Sequence, residues 1–208
     1  MDADMPVLSP FNPLDKRNLA ENVANEMLKR PVVQLPPEPF IGAGIYAIYY
    51  TGKYPLYGRM AALNRNQAFL LPIYVGKAVP AGTRKGGFGL GDEPGQALYK
   101  RLCDHAKSIK EVANLETEDF FCRYLAVDDI WIPLAESLLI EKFSPLWNKV
   151  VDGFGNHAPG SGRYNQKMSQ WDALHPGRSW AMHLKQMDNS NKKLHQDIEK
   201  FLSEHCGH

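Results

Sequence analysis

Four segments of the chain repeat apolar residues every three or four positions, which is the spacing of a helix with one buried face. They are residues 15–30, 96–111, 133–143 and 188–204. A proline marks an end of two of these segments. Pro31 follows the first segment, and Pro133 opens the third, where the missing N–H of a first-turn proline costs nothing. The pattern predicts four helices of ordinary length.

Three shorter segments are rich in aromatic and β-branched side chains, the composition of strands. They are residues 41–51, 71–78 and 120–127. Taken with the helices, this order predicts an α/β (α+β) fold with a small, central, mainly antiparallel three-stranded sheet flanked by helices. The polar stretch 52–70 is expected to be an inserted loop between the first two strands, and residues 1–13, with three prolines, an irregular arm.

Composition places the chain among ordinary globular proteins, with 208 residues, 44% hydrophobic and 23% charged. No apolar run approaches the roughly 18 residues of a membrane span, and the acidic N-terminus does not resemble a secretory signal. Cys103, Cys122 and Cys206 are too few and too scattered for a disulfide framework. We therefore expect no membrane partner and a reducing, cytoplasmic location.

The net charge of +1 hides an uneven distribution along the chain. Residues 77–110 and 142–185 each carry a net charge of +4, whereas residues 111–141 carry −7. Such blocks can fold into a basic face suited to nucleic acid with an acidic back, or they can scatter over a solvated surface. Charge alone leaves both interpretations open.

Taken singly, six polar residues have ordinary structural explanations. Strand tyrosines usually pack with the ring inside, and two polar residues four apart simply share a helix face. A carboxylate in an apolar run is costly unless it is paired or binds a ligand, and Asn at a helix end is a common cap. The six are Tyr46, Tyr74, Arg101, His105, Glu136 and Asn148.

In this order, the six residues resemble the signature of the GIY-YIG nuclease family. Gly44-Ile45-Tyr46 is similar to the first motif, and Tyr74-Val75-Gly76 to the second, with Val in place of Ile. The resemblance implies a catalytic core at residues 40–150 with its insertion at 52–70. In a single domain of residues 1–208, an arm and helix at 1–39 would precede the core, and a DNA-contacting extension at 151–208 would follow it.

The resemblance implies hydrolysis of phosphodiester bonds with one divalent cation, Mg²⁺ or Mn²⁺, per active site. Glu136 would hold this cation by its carboxylate, and a single acid favours a single ion. Arg101 would bind the non-bridging phosphate oxygens through its planar fork of donors.

The other catalytic candidates would act on the attacking water and the phosphate. Tyr46 would deprotonate the water, but its ordinary pKa of about 10 requires help from a cationic neighbour, either His105 or a metal-bound water. Tyr74 would hydrogen-bond the water or a phosphate oxygen. Asn148 would position Glu136 or Tyr46.

Three further segments, 71–82, 151–160 and 171–178, resemble the type II restriction endonucleases of this family that cut CCGCGG, the SacII isoschizomers. That resemblance implies double-stranded DNA with a palindromic G/C site as substrate, and a homodimer in which the N-terminal helix and the 52–70 insertion are the candidate interface. Candidate DNA contacts are Lys77, Arg84, Lys85, Lys149, Asn156, His157, Arg163, Lys167 and Arg178.

Two alternatives remain open: a homing or repair nuclease of the same family, and a catalytically inactive DNA-binding module. Other nuclease classes are disfavoured because the chain has no acid two residues before a lysine, and the sequence has no Walker A loop.

Overall fold

The computed structural model describes residues 12, 14–66, 69–80, 94–158, 166–185 and 191–206. It confirms the predicted α+β architecture, a small antiparallel sheet flanked by helices. The strands are β1 Val33–Gln34, β2 Gly44–Tyr50, β3 Tyr74–Ala78 and β4 Phe120–Ala126. The helices are α1 Lys16–Lys29, α2 Gly58–Asn66, α3 Ala97–Lys110, α4 Ile132–Phe143, α5 Leu146–Lys149, α6 Gln170–Leu174 and α7 Asn191–His205.

The sheet has four strands in the order β1-β4-β2-β3, so the prediction of three strands is wrong by one. The additional strand, β1, has only two residues and pairs Val33 with Cys122 of β4. A strand of two residues is too short to show an alternation of apolar and polar side chains. Pairing with β4, rather than its own sequence pattern, stabilises it. β2 lies in the centre of the sheet, between β4 and β3, and all of its residues are buried.

The two faces of β2 pack against different layers, since successive side chains of a strand point to opposite faces. Tyr46, Ile48 and Tyr50 join the larger core, which includes α3 and the segments after residue 150. Ile45, Ala47 and Tyr49 face the smaller core, formed with α1 and α4. The catalytic candidates on β2 and α3 therefore share one side of the sheet.

The insertion 52–70 is not a loop, which corrects the prediction. Its chain forms a 3-10 turn at Pro55–Tyr57 and then α2. Tyr57, Met60 and Ala61 are buried in the larger core. Asn64, fully buried, donates to the carbonyls of Tyr50 and Leu71 and accepts from the Leu71 N–H. The insertion is thus tied to the end of β2 and to the segment that leads into β3.

The chain after residue 150 packs into the same core. Phe154 and Trp171 are buried there, and α7 adds Leu194, Ile198 and Leu202. Among the described helices, none is long and apolar enough to cross a membrane.

Candidate active site

An open cavity of about 630 Å³ lies at the outer edge of the sheet, beside β3. α3 reaches it from one face of the sheet and α4 from the other. Of the predicted catalytic residues, Tyr46, Tyr74, Arg101 and Glu136 line the cavity. Residues up to 90 positions apart in sequence thereby line one cavity.

Tyr46 reaches the cavity across a glycine of the neighbouring strand. Gly76 is the register partner of Tyr46 on β3. A Cβ atom on Gly76 would lie 2.3 Å from the Tyr46 hydroxyl oxygen, closer than any non-bonded contact allows. The glycine of the second motif is therefore required by close approach of the tyrosine of the first motif.

The Tyr46 hydroxyl forms a buried hydrogen bond of 2.6 Å with Nε2 of His105. Burial lowers the pKa of His105 well below its ordinary value, so the imidazole is neutral. Burial also raises the pKa of Tyr46 well above its ordinary value, the nearby Tyr74 adds to this, and the Arg101 charge opposes it. The expectation of a cationic His105 is therefore wrong, and Arg101 is the cation beside the tyrosine.

Tyr74 projects from the same face of the sheet as Tyr46, with the ring centroids 6.2 Å apart. Burial raises its pKa, and Arg101 lowers it. Both tyrosines are consequently neutral phenols at neutral pH, able to donate as well as accept hydrogen bonds.

Arg101 is held by the loop that follows α5. Its Nη2 donates to the Gly155 carbonyl oxygen at 2.9 Å, and its Nη1 is hydrogen-bonded to Nε2 of His157. Because arginine has no acceptor, His157 accepts this bond through an unprotonated Nε2. His157 also lines the cavity, so the residue expected to contact DNA lies beside the residue expected to bind phosphate.

Glu136 forms an ion pair of 2.6 Å with Nζ of Lys77 at the opposite side of the cavity. Its side chain retains only 18% of its exposure, so a positive charge beside it is needed. Among the described residues, no group of three or more His, Cys, Asp or Glu is arranged to hold a metal ion. Asp104 also lines the cavity, and a cavity-lining carboxylate such as Glu136 fits a hard divalent cation whose remaining ligands are waters.

Asn148 forms its hydrogen bonds with Val75 rather than with Glu136 or Tyr46, which corrects its expected partners. Its Oδ1 accepts from the N–H of Val75 at 2.8 Å, and its Nδ2 donates to the Val75 carbonyl at 2.9 Å. The amide thus occupies the place of a further strand beside β3. Asn148 fixes the backbone between Tyr74 and Gly76, and through it the tyrosine.

Arg178 is buried, with 1% of its surface exposed, so its expected role as a DNA contact is wrong for this conformation. Lys149, Asn156 and Lys167 are exposed, as contacts with DNA require. Three more of the predicted contacts lie outside the described residues; they are Arg84, Lys85 and Arg163.

The model of one protein family, the Eco29kI GIY-YIG domain, matches residues 38–202. The chain belongs to this family. The family assignment makes it a GIY-YIG nuclease that acts on DNA. No curated protein matches the chain.

Two features of this GIY-YIG site were not predicted from the sequence. Phe154 stacks on His105, with centroids 4.5 Å apart and planes at 18°, and meets Tyr74 edge-on. Lys77 pairs with Glu136. For the stacking of Phe154, the one available signal in the sequence was an aromatic residue inside the glycine-rich segment 151–160. The ion pair of Lys77 with Glu136 had no such signal, because it forms only when the fold brings β3 and α4 together.

Proposed function

We propose that this chain is a type II restriction endonuclease that hydrolyses double-stranded DNA at a short palindromic G/C-only site, with CCGCGG as the sequence to test. The observation that carries the proposal is the single cavity lined by Tyr46, Tyr74, Arg101 and Glu136. It combines a water-orienting phenol, a phosphate-binding guanidinium and a cation-binding carboxylate, the three functions that phosphodiester hydrolysis needs.

Tyr46 and His105 form a proton relay for the attacking water. Tyr46 donates its hydroxyl proton to Nε2 of the neutral His105, which leaves a lone pair of the phenol oxygen for the water. As the water oxygen bonds to phosphorus, its proton passes to Tyr46 and the tyrosine proton passes to His105. The bond from phosphorus to the leaving oxygen breaks, and that oxygen takes a proton from solvent.

The relay avoids a lasting buried phenolate, which the raised pKa of Tyr46 disfavours. Because burial also lowers the pKa of His105, its imidazolium gives the proton back through Tyr46 as the product leaves. Negative charge that gathers on the phosphate lies near Arg101, whose donors suit two phosphate oxygens at once. Tyr74, a neutral phenol beside it, can donate a further hydrogen bond to the phosphate.

Glu136 is the residue that would hold one Mg²⁺ or Mn²⁺, with Lys77 released from its ion pair. When bound, such a cation supplies Lewis-acid stabilisation of charge on the phosphate and the leaving oxygen. The Lys77 ammonium, once released, remains on the rim of the cavity, where it can contact the DNA backbone.

A palindromic site calls for two copies of the chain related by a two-fold axis, one active site per strand. We propose a homodimer with α1 and the exposed surface of α2 as its interface. Contacts with the DNA would come from the exposed Lys149, Lys167 and Asn156 and from His157. Arg and Lys donors suit the O6 and N7 acceptors of guanine in the major groove.

The test is cleavage of a duplex containing CCGCGG in Mg²⁺, with the ends sequenced. Glu136→Ala should reduce the rate by about 10³-fold, roughly 4 kcal/mol of transition-state stabilisation, while cognate binding persists. The matched control is Glu141→Ala, which removes an exposed carboxylate from the same helix and should cut normally.

Random degradation by the wild-type protein, or no cleavage of any duplex, would refute the restriction activity. Preferential cutting of nicked or branched DNA would favour a repair nuclease instead. Full activity of Glu136→Ala would remove the metal assignment alone.

A further inference from the structure

The buried Arg178 binds the backbone of one loop at three positions. Its Nη1 donates to the carbonyls of Phe154 and Asn156, at 3.2 and 3.3 Å, and its Nη2 donates to that of Gly153 at 3.0 Å. Its Nε donates to Oδ1 of Asp172 at 2.6 Å. A planar fork of five donors suits this arrangement, and a lysine ammonium cannot span it.

The surroundings of Arg178 keep it in place. Its guanidinium lies over the ring of Trp171 at 4.4 Å and over that of Trp180 at 4.6 Å. Asp172, 2% exposed, also accepts a hydrogen bond of 2.6 Å from the Ser169 hydroxyl. A buried pair of opposite charges with its donors and acceptors satisfied is costly to disturb.

The loop that Arg178 holds, residues 153–157, is the loop that touches the active site. Phe154 stacks on His105, the Gly155 carbonyl accepts from Arg101, and His157 is hydrogen-bonded to Arg101. Contacts to Arg178 and contacts to the site alternate along this short stretch of backbone. Any shift of the loop is therefore passed to Arg101.

We propose that Arg178 is a positioning residue that fixes loop 153–157 and thereby aims the guanidinium of Arg101 at the scissile phosphate. That Arg101 binds a scissile phosphate rests on the proposed function. That Arg178 orients Arg101 through loop 153–157 does not. Two donors of Arg101 serve the loop, and its guanidinium also lies close enough to Tyr46 and Tyr74 to act on both hydroxyls. Orientation fixed before DNA binds lowers the entropy lost at the transition state.

The direct test is Arg178→Lys, which keeps a positive charge beside Asp172 and loses the fork. The matched control is Arg123→Lys. Arg123 is also buried, 7% exposed, and donates to the backbone carbonyls of Arg30 and Phe69, but its register partner Ala47 lies on the face away from Tyr46. Thermal unfolding shows which variants are folded, and only folded protein is compared.

Single-turnover cleavage at saturating enzyme is the first readout. Arg178→Lys should cut about 10- to 100-fold more slowly, the loss expected when a supporting residue of a site is removed, with cognate affinity in Ca²⁺ changed about threefold or less. Arg123→Lys should cut within about twofold of wild type. A folded Arg178→Lys protein that cuts at the wild-type rate overturns the proposal.

Coupling to Arg101 separates positioning from general damage. In an Arg101→Lys background, Arg178→Lys should add only about threefold, because the group that it orients is already lost. An equal loss in both backgrounds overturns the proposal. If Arg178→Lys does not fold, Trp180→Ala replaces it, since Trp180 is half-buried and covers the guanidinium from outside. It should slow cleavage about 3- to 10-fold and show the same coupling.

A second readout does not depend on cleavage. Side-chain ¹⁵N signals of Arg101, assigned by their loss in Arg101→Lys, should shift in Arg178→Lys, or in Trp180→Ala, and stay unchanged in Arg123→Lys. If the wild-type protein cuts no DNA, the proposed function fails, and these signals decide the positioning by themselves. Unchanged Arg101 signals would overturn it, whatever the cleavage data show.

Discussion

Among the described residues, two buried tyrosine–histidine pairs occur, and only one of them belongs to the candidate active site. Tyr46 bonds to Nε2 of His105 at 2.6 Å, and Tyr57 bonds to Nε2 of His175 at 2.7 Å. Burial lowers the pKa of both histidines, that of His175 to about 3. By bond geometry and charge state, the two pairs are nearly the same.

The pairs differ in what surrounds them. His175 Nδ1 bonds to Oδ1 of Asn114, and the Trp147 indole donates to the Tyr57 hydroxyl. Because Nδ2 of Asn114 donates to the Leu174 carbonyl, its Oδ1 is the acceptor and His175 carries its proton on Nδ1. Every polar atom of that pair is satisfied inside the core.

Tyr46, in contrast, lines an open cavity that also contains Arg101 and Glu136. A tyrosine–histidine bond is therefore first a way to bury two polar groups. Such a bond can take part in catalysis only where water, a phosphate-binding cation and a carboxylate lie beside it.

The largest expected effect comes from removing each hydroxyl in turn. Tyr46→Phe should reduce the cleavage rate about 10²- to 10⁴-fold, the usual contribution of a positioned proton acceptor. Tyr57→Phe should leave the rate of folded protein within about threefold, although it leaves the Trp147 indole unpaired at a cost of about 1–3 kcal/mol. Single-turnover cleavage and urea unfolding measure the two quantities. Equal rate losses in both variants would mean that the two pairs do not differ in function.

The next effect concerns how the free energy of unfolding depends on pH, and here the two pairs should behave alike. Both histidines have folded-state pKa values below the ordinary value near 6.5, so the unfolded chain binds more protons. Their contribution to stability is complete above about pH 6.5 and is lost as the pH falls towards the folded values, at about 1.4 kcal/mol per pH unit for each.

His105→Gln and His175→Gln should each reduce the slope of unfolding free energy between pH 6 and 5 by that amount, about 1.4 kcal/mol per pH unit. His195→Gln, an exposed position on α7, is the control and should leave the slope unchanged. Only His105→Gln should also slow cleavage. Slopes identical to wild type in both buried variants would contradict the assignment of neutral, buried imidazoles.

The smallest effect tests why Tyr46 can reach its partner. Gly76→Ala places a methyl group against the Tyr46 hydroxyl and should cost about 1–3 kcal/mol of stability through overpacking. Gly58 is at a helical position where an added Cβ atom would meet no other part of the protein within 4 Å. Gly58→Ala should therefore be neutral or should stabilise the protein by up to about 1 kcal/mol. Urea unfolding compares the two. Equal stability of both variants would show that the strand accommodates the methyl group.

The sequence was sufficient for the parts of the fold that follow from local pattern. The apolar stripe Leu98, Leu102, Ala106 and Ile109 predicted α3, and all four residues are buried. The predicted strands correspond to β2, β3 and β4. These elements succeed because one residue spacing repeats through the whole segment.

The parts that failed depend on long-range contacts. β1 exists through pairing with β4, and α2 is only nine residues long, with the polar Asn64 at one of its three buried positions. From the sequence alone, Arg178 is expected at the surface, because its buried partners, Asp172 and the loop carbonyls, are brought to it only by the fold. Of the candidate site, the cavity-lining residues and the proximity of His105 to Tyr46 were predictable from ordered motifs, whereas the neutral charge of His105 and the partners of Asn148 and Lys77 were not.

The amide of Asn148 has a consequence for how copies of this chain can meet. An open strand edge invites a neighbouring molecule to extend the sheet, which is a common origin of aggregation. Here Asn148 occupies both polar groups of Val75, and the Trp147 N–H occupies the Ile73 carbonyl. The opposite edge, β1, offers two residues. Sheet-to-sheet polymerisation is thereby discouraged at both ends, and self-association is left to the helical surfaces.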